Sequence, residues 1–247
     1  HFYYLKKFFP KKYIFCEKPP VTNLKDLKKI SKMNNGKVYF NFNLRFSKIA
    51  KILQNKDIYK MGNLLYANLI LSHGLALKDA YKKNWRSNIK KCPKGIFEIV
   101  SIHFIDLINL MFDIKKLKKT TLFNLSKIGT SYDTAHTEME LKNKAVANIY
   151  VTYKSAYTKK IFFLFDNGLI EQNNGQISVK GPAKNLDKKG FFKNPKTIRR
   201  YKISDNKDYN ESLNDSVNFF LAHAKNNKKI DKKMFNLSIK TNEFLLK

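Results

Sequence analysis

The sequence predicts an α/β plus α+β chain, a short α/β unit followed by a larger α+β domain with an open antiparallel sheet. Three observations predict it. Residues 1–46 read helix, strand, helix, strand, and two strands joined by a helix are most simply parallel with a right-handed crossover. Residues 117–180 read as short alternating strands separated by turns, the pattern of an antiparallel meander. Between them, 96–112 is one strongly apolar helix, buried on most sides.

Taken in order, residues 2–9 read as part of a helix that Pro10 stops. Residues 13–17 read as a buried strand, whose run Ile14-Phe15-Cys16 ends abruptly in Glu17-Lys18 and two prolines. Thr22 is placed to cap a helix over 23–33, with Leu24, Leu27 and Ile30 on one face and the turn Asn34-Asn35-Gly36 after it. The alternation of KVYFNFNLRF predicts a second strand over 37–46. A helix over 47–56 follows, then Gly62 and the strand NLLYANLILS. Beyond the apolar helix the strands are TTLFNLSKI, TAHTEMEL, VANIYVTYKS, KKIFFLF, GLIEQNN and QISVKG. Asp166-Asn167-Gly168 and Asn173-Asn174-Gly175 suit hairpin turns. Residues 182–208 read as loop, and two helices, from about 209–227 and 231–246, close the chain. There is no internal repeat.

With 43% hydrophobic residues in 247, the chain can bury a proper core and is not a disordered tail. It has no run of 18 apolar residues to span a membrane. Its start, HFYYLKKFFP, is too short and too interrupted by lysine for a signal peptide. Cys16 and Cys92 form neither a disulfide framework nor a metal pattern, which points to a reducing cytoplasm. The net charge of +30 makes nucleic acid a candidate partner. Yet four of the 49 basic residues are arginine, and the lysines run along the whole chain. Base and phosphate readers favour arginine for its fork, so a solvated lysine surface is the better reading, one that would still steer an acidic substrate.

Three stretches could carry chemistry. Lys18 stands where a strand ends, the place where open α/β sheets bind ligands, and Pro19 restricts its backbone. The same residues also fit an ordinary surface Glu-Lys pair. His103 and Asp106, three apart in an apolar helix, share a face. They fit a proton shuttle with an orienting carboxylate, or a buried pair that tethers the helix. Trp85 with Arg86 suits a sugar or phosphate-bearing ligand, or a packed tryptophan beside a surface arginine.

In this order the residues resemble the glucose–fructose oxidoreductase / inositol dehydrogenase (Gfo/Idh/MocA) family, over essentially the whole chain. The family's Glu-Lys-Pro is matched by Glu17, Lys18 and Pro19, and its Asn-x-Arg element by Asn43 and Arg45. Trp85-Arg86 and a glycine-led helix with His-x-x-Asp, here Gly95, His103 and Asp106, complete the match. The resemblance implies a partial Rossmann domain over 1–43 and a substrate-binding and oligomerisation domain over 44–247. It implies NAD or NADP as cofactor and hydride transfer from a sugar or nucleotide-sugar hydroxyl. Lys18, His103 and Asp106 would be catalytic. Glu17, Lys18, Pro19 and Asn43 would meet the cofactor, and Arg45, Trp85 and Arg86 the substrate. No metal is implied. Composition argues against a nucleic-acid or membrane partner, and an open sheet face of this size is seldom left to water, so a homo-oligomer through the antiparallel sheet is expected. Two departures stand out. Where many members have an aspartate one turn before the histidine, this chain has Ile99. None of its nine glycines stands two residues from another, so the family's Gly-x-Gly-x-x-Gly turn is missing. The expectation is a chain truncated at its N-terminus and inactive as it stands. The alternative is a non-catalytic module that binds a sugar or a partner.

Overall fold

A computed structural model of the chain describes residues 1–182 and 186–247, with the side chains of Lys56 and Ile58 set aside. It begins with α1 (Phe2–Phe8), β1 (Ile14–Cys16), α2 (Leu24–Ser31) and β2 (Val38–Phe40). β1 and β2 pair in parallel, Ile14 against Val38 and Cys16 against Phe40, as the strand–helix–strand order requires. The cap of α2 is Asn23 rather than Thr22, because the Asn23 side chain accepts from the Asp26 N–H. β2 is also shorter than the alternation suggested. All three of its residues are buried, and the chain then tightens into a 3₁₀ turn over Asn43–Phe46. Asn41, Asn43 and Arg45 are all buried there, so the residues after β2 turn inward instead of lining a sheet edge.

Ser47 caps α3 (Lys48–Gln54), and β3 (Leu64–Ser72) follows. The long apolar helix is two elements, a π-helical turn over Phe97–Ser101 and then α4 (Ile102–Phe112). Next come β4 (Ile114–Phe123), β5 (Thr134–Leu141), β6 (Val146–Thr152), β7 (Thr158–Phe165), β8 (Gly168–Asn173), β9 (Gln176–Lys180) and β10 (Thr197–Lys202). α5 (Asp205–Lys225) and α6 (Lys232–Leu246) end the chain.

Eight strands form one sheet in the order β10-β9-β8-β7-β3-β6-β5-β4. Every pairing is antiparallel except β3 with β6. Both hairpin turns anticipated at 166–168 and 173–175 join neighbouring strands. The two edge strands depart from expectation. β4 starts at Ile114, through Lys115, Lys116, Lys118 and Lys119, and β10 lies within a stretch read as loop. Edge strands need little burial and are often blunted with lysine, so the hydrophobic alternation that marks an inner strand is absent from them. One sheet face, with Ala67, Leu69, Ile149, Val151 and Phe163, is fully buried. The other shows half-exposed Tyr66, Ile70, Tyr150, Phe162 and Leu164.

A continuous core runs from Leu5 to Leu245. The closing helices reach back to the first strands. Phe220 of α5 meets Phe15 at 5.4 Å between ring centroids, and Phe235 of α6 meets Phe40 at 5.5 Å. Among the described residues, no helix is long and apolar enough to cross a membrane.

Candidate functional site

β1 and β2 end together, and their carboxyl ends open on a cavity of about 700 Å³. Glu17 and Lys18 come from the end of β1, Asn41 and Asn43 from beyond β2. The opposite walls are His73, which follows β3, the pair Trp85-Arg86, and Ile99 and His103 of the helical stretch. Six of the nine residues singled out in the sequence are therefore brought together. Pro19 lies behind Lys18, outside the lining, and the peptide that joins them is cis.

The strand-end residues are held from behind. Asn41 donates to a Glu17 carboxylate oxygen at 2.7 Å, and Ser216 of α5 donates to the side-chain oxygen of Asn41 at 2.8 Å. That leaves the buried Tyr39 hydroxyl as donor to Ser216, at 2.9 Å. Asn43 donates to Ser212, one turn before Ser216 on the same helix, at 3.0 Å. The polar face of α5 thus fixes both asparagines, and Asn41 fixes the carboxylate.

Lys18 donates to the main-chain carbonyl of Ile99 in the π-helical turn. A π-turn offsets the usual i→i−4 ladder, and here a carbonyl of that turn meets the lysine where a carboxylate is absent. Burial lowers the Lys18 pKa to about 8; Glu17 opposes the shift and the Arg86 charge adds to it. His103 is held well below 6.5, first by burial and then by the Lys18 charge. Its imidazole is therefore neutral at pH 7 and able to accept a proton. The Nδ1 atom is buried without a partner, so Nε2 is the nitrogen open to the cavity.

Two expected residues stand elsewhere. Asp106 does not orient His103. Both of its oxygens accept from Arg45, at 2.7 Å from Nε and 2.6 Å from Nη2, and one also accepts from Thr241. Arg45 does not reach the cavity either. Its remaining donors go to Ser238 and the Met234 carbonyl, and it is 4% exposed. The His-x-x-Asp spacing puts both residues on one side of α4, but the buried guanidinium is the stronger partner for the carboxylate. Asp106 and Arg45 thus bind the end of β2 to α4 and α6.

His73 and Asn41 were not singled out. Their positions just after strand ends were a signal for both, since Asn41 precedes Asn43 by two residues and His73 follows the run NLLYANLILS. Burial lowers the His73 pKa, and its ring lies 4.6 Å from that of Tyr153. The Ile99 carbonyl carried no signal, since any residue supplies one. Together the cavity offers a cation, a neutral imidazole, fixed amides and a guanidinium, a set suited to moving a proton from a bound hydroxyl.

A family model described as the oxidoreductase family, C-terminal alpha/beta domain, matches residues 57–230. No curated protein matches the chain. Among solved structures, it is similar to an oxidoreductase from Agrobacterium radiobacter in complex with NAD+, L-tartaric acid and magnesium. The identity is 14%, over 94% of this chain and 68% of that one, with a TM-score of 0.72. It is similar to a levoglucosan dehydrogenase in complex with NADH and levoglucosan, at 15% identity over 94% and 69% of the two chains and a TM-score of 0.75. An oxidoreductase from Thermotoga maritima matches at 17% identity, over 99% and 71%, with a TM-score of 0.73. At these identities the likeness is one of fold.

Proposed function

The chain belongs to the Gfo/Idh/MocA oxidoreductase family, whose C-terminal-domain model it matches over residues 57–230, and from this we propose an NAD(P)-dependent oxidoreductase that acts on a sugar or nucleotide-sugar hydroxyl. The observation that carries the reading is Lys18 and His103 on the walls of one cavity, beyond the carboxyl ends of a parallel strand pair. In this reading His103 Nε2 takes the hydroxyl proton as the carbon–hydrogen bond gives up its hydride. Lys18 stabilises the developing alkoxide and lowers the hydroxyl's pKa. Trp85 and Arg86 hold the rest of the substrate, while Asp106 and Arg45 act only through the placing of α4. The nicotinamide, when bound, supplies the hydride acceptor.

The residues present fit one end of that cofactor. Glu17, Lys18 and Asn43 border the cavity with fixed side chains, which suits the nicotinamide and its ribose. No glycine-rich turn in this sequence suits the pyrophosphate. The alternative reading is a module that binds a sugar or a partner without hydride transfer. A second copy of the chain is the partner we assign to the half-exposed sheet face with Tyr66, Tyr150 and Phe162. Cys16 and Cys92 are free and buried, which fits a reducing cytoplasm.

The test is turnover in a version that carries a Gly-x-Gly-x-x-Gly half ahead of His1. Reduced nicotinamide should form with a sugar substrate, and Lys18→Ala should cut the rate at least ~100-fold without loss of folding. Near-normal turnover in the variant would remove Lys18 from the mechanism.

A further inference from the structure

The wall of the cavity that faces Lys18 is built around Arg86. Its guanidinium lies 4.5 Å from the Trp85 ring centroid. Stacking on an aromatic face fixes the plane of the guanidinium fork. Among the described residues no carboxylate pairs with it. This contrasts with Arg45, whose fork is saturated by Asp106. Glu17 is the acidic residue that lines the cavity, and its carboxylate already takes Asn41. Glu98 is buried, outside the lining, and accepts from the Lys94 N–H. The Arg86 charge lies close enough to Lys18 to disfavour the lysine's own proton. Two cations and one carboxylate, Glu17, therefore border the cavity, and the half-buried Arg86 fork is the cation left without a carboxylate of its own among the described residues.

We infer that the site selects a sugar acid, whose carboxylate is taken by the Arg86 fork while a hydroxyl of the same molecule lies against Lys18 and His103. The inference rests on the oxidoreductase reading for the second half of that placement. A carboxylate suits the site better than a phosphate. Phosphate sites recruit backbone N–H groups, and three in a row at Arg86 are in use. The Arg86 N–H goes to the Asn84 side chain, that of Ser87 to the Asn84 carbonyl, and that of Asn88 to the Trp85 carbonyl. A single planar fork matches a single carboxylate.

Calorimetry on the full chain tests the inference with D-glucuronate and D-galacturonate against D-glucose, D-galactose and D-glucose 6-phosphate. At least one uronate should bind ~10-fold or more tighter than its neutral counterpart, the scale of a charge-assisted hydrogen bond. Arg86→Gln should bring that ratio close to one, and Arg86→Lys should keep part of it. The inference is overturned by uronates that bind no better than neutral sugars, by a preference that survives Arg86→Gln, or by a phosphosugar that outbinds both uronates. Should Arg86→Gln fail to fold, the comparison in the natural chain decides alone. Uronate binding without hydride transfer in the version that carries a Gly-x-Gly-x-x-Gly half would sink the oxidoreductase reading and leave the carboxylate site standing. Hydride transfer from neutral sugars without a uronate preference would do the reverse.

Discussion

Arg45 and Asp106 face each other almost without water, at 2% and 1% side-chain exposure. Removal of one partner leaves the other charged, desolvated and unpaired. Asp106→Ala should therefore cost about 3–5 kcal/mol of stability, and the double replacement Arg45→Met/Asp106→Leu should cost less than that single change. Urea titration of the natural chain and the two variants checks this, and a loss under ~1 kcal/mol for Asp106→Ala would mean that the pair does not hold α4 in place. Lys18 is a different case, because it titrates. Its pKa falls from 10.5 to about 8 on folding, chiefly through burial. Between those values the unfolded chain binds the proton that the folded chain releases, so stability rises with pH across that window. Measured against Lys18→Met, the natural chain should gain unfolding free energy from pH 8 to 10.5 and show a constant difference below 8. A flat difference throughout would place the ammonium in water. Lys18 and His103 were legible in the sequence because a strand end and an apolar helix each made a polar residue conspicuous. The partner of Asp106 was not. Residues three apart share a helix face, but the spacing does not reveal a guanidinium that arrives from a sequence-distant turn.

The π-helical turn over Phe97–Ser101 begins two residues after Gly95, whose φ is +55°. A Cβ at Gly95 would stand 1.9 Å from the Tyr132 carbonyl oxygen. That oxygen accepts from the Ile96 N–H at 2.9 Å, so the loop before β5 is seated on the start of the helix. Gly95→Ala should cost at least ~2 kcal/mol, from backbone strain and displacement of that loop together. Gly190→Ala isolates the strain, since Gly190 has a φ of +84° and nothing within 4 Å of an added Cβ; about 1 kcal/mol is expected there. Equal losses at the two sites in thermal or urea unfolding would show that the contact with Tyr132 yields freely. Elements with a buried face were legible, which is why β3 and β5–β9 fell where alternation put them. β4 and β10 did not, because a strand at a sheet edge can satisfy its backbone on one side while its side chains stay in water. The π-turn was hidden as well. Phe97–Ser101 has the composition of an ordinary helix, and its offset lies in the backbone alone.

For the molecule as a whole, the cavity is complete at one end. The nicotinamide side is bordered by Glu17 and Lys18, and the sequence holds no glycine-rich turn for a pyrophosphate. The 247-residue chain by itself should therefore bind NAD(H) or NADP(H) no better than roughly millimolar, since each 1.4 kcal/mol lost is about tenfold. Calorimetry with the four forms is the check, and a micromolar constant would show that this chain holds the dinucleotide without such a turn. Light scattering should find a dimer or larger at micromolar concentration; a monomer would remove the open sheet face as an interface. The family resemblance reached this scale from a handful of residues because their order along the chain is itself a constraint on topology. The sheet order has a further consequence, one for synthesis on the ribosome. β3 ends at Ser72, yet both of its neighbours lie far downstream, and the nearer, β6, ends only at Thr152. At about 5–20 residues per second, β3 waits roughly 4–16 s before either flank can be covered. Throughout that interval an apolar strand stands in the nascent chain with two bare edges, and chaperone occupancy there should peak before Thr152 emerges.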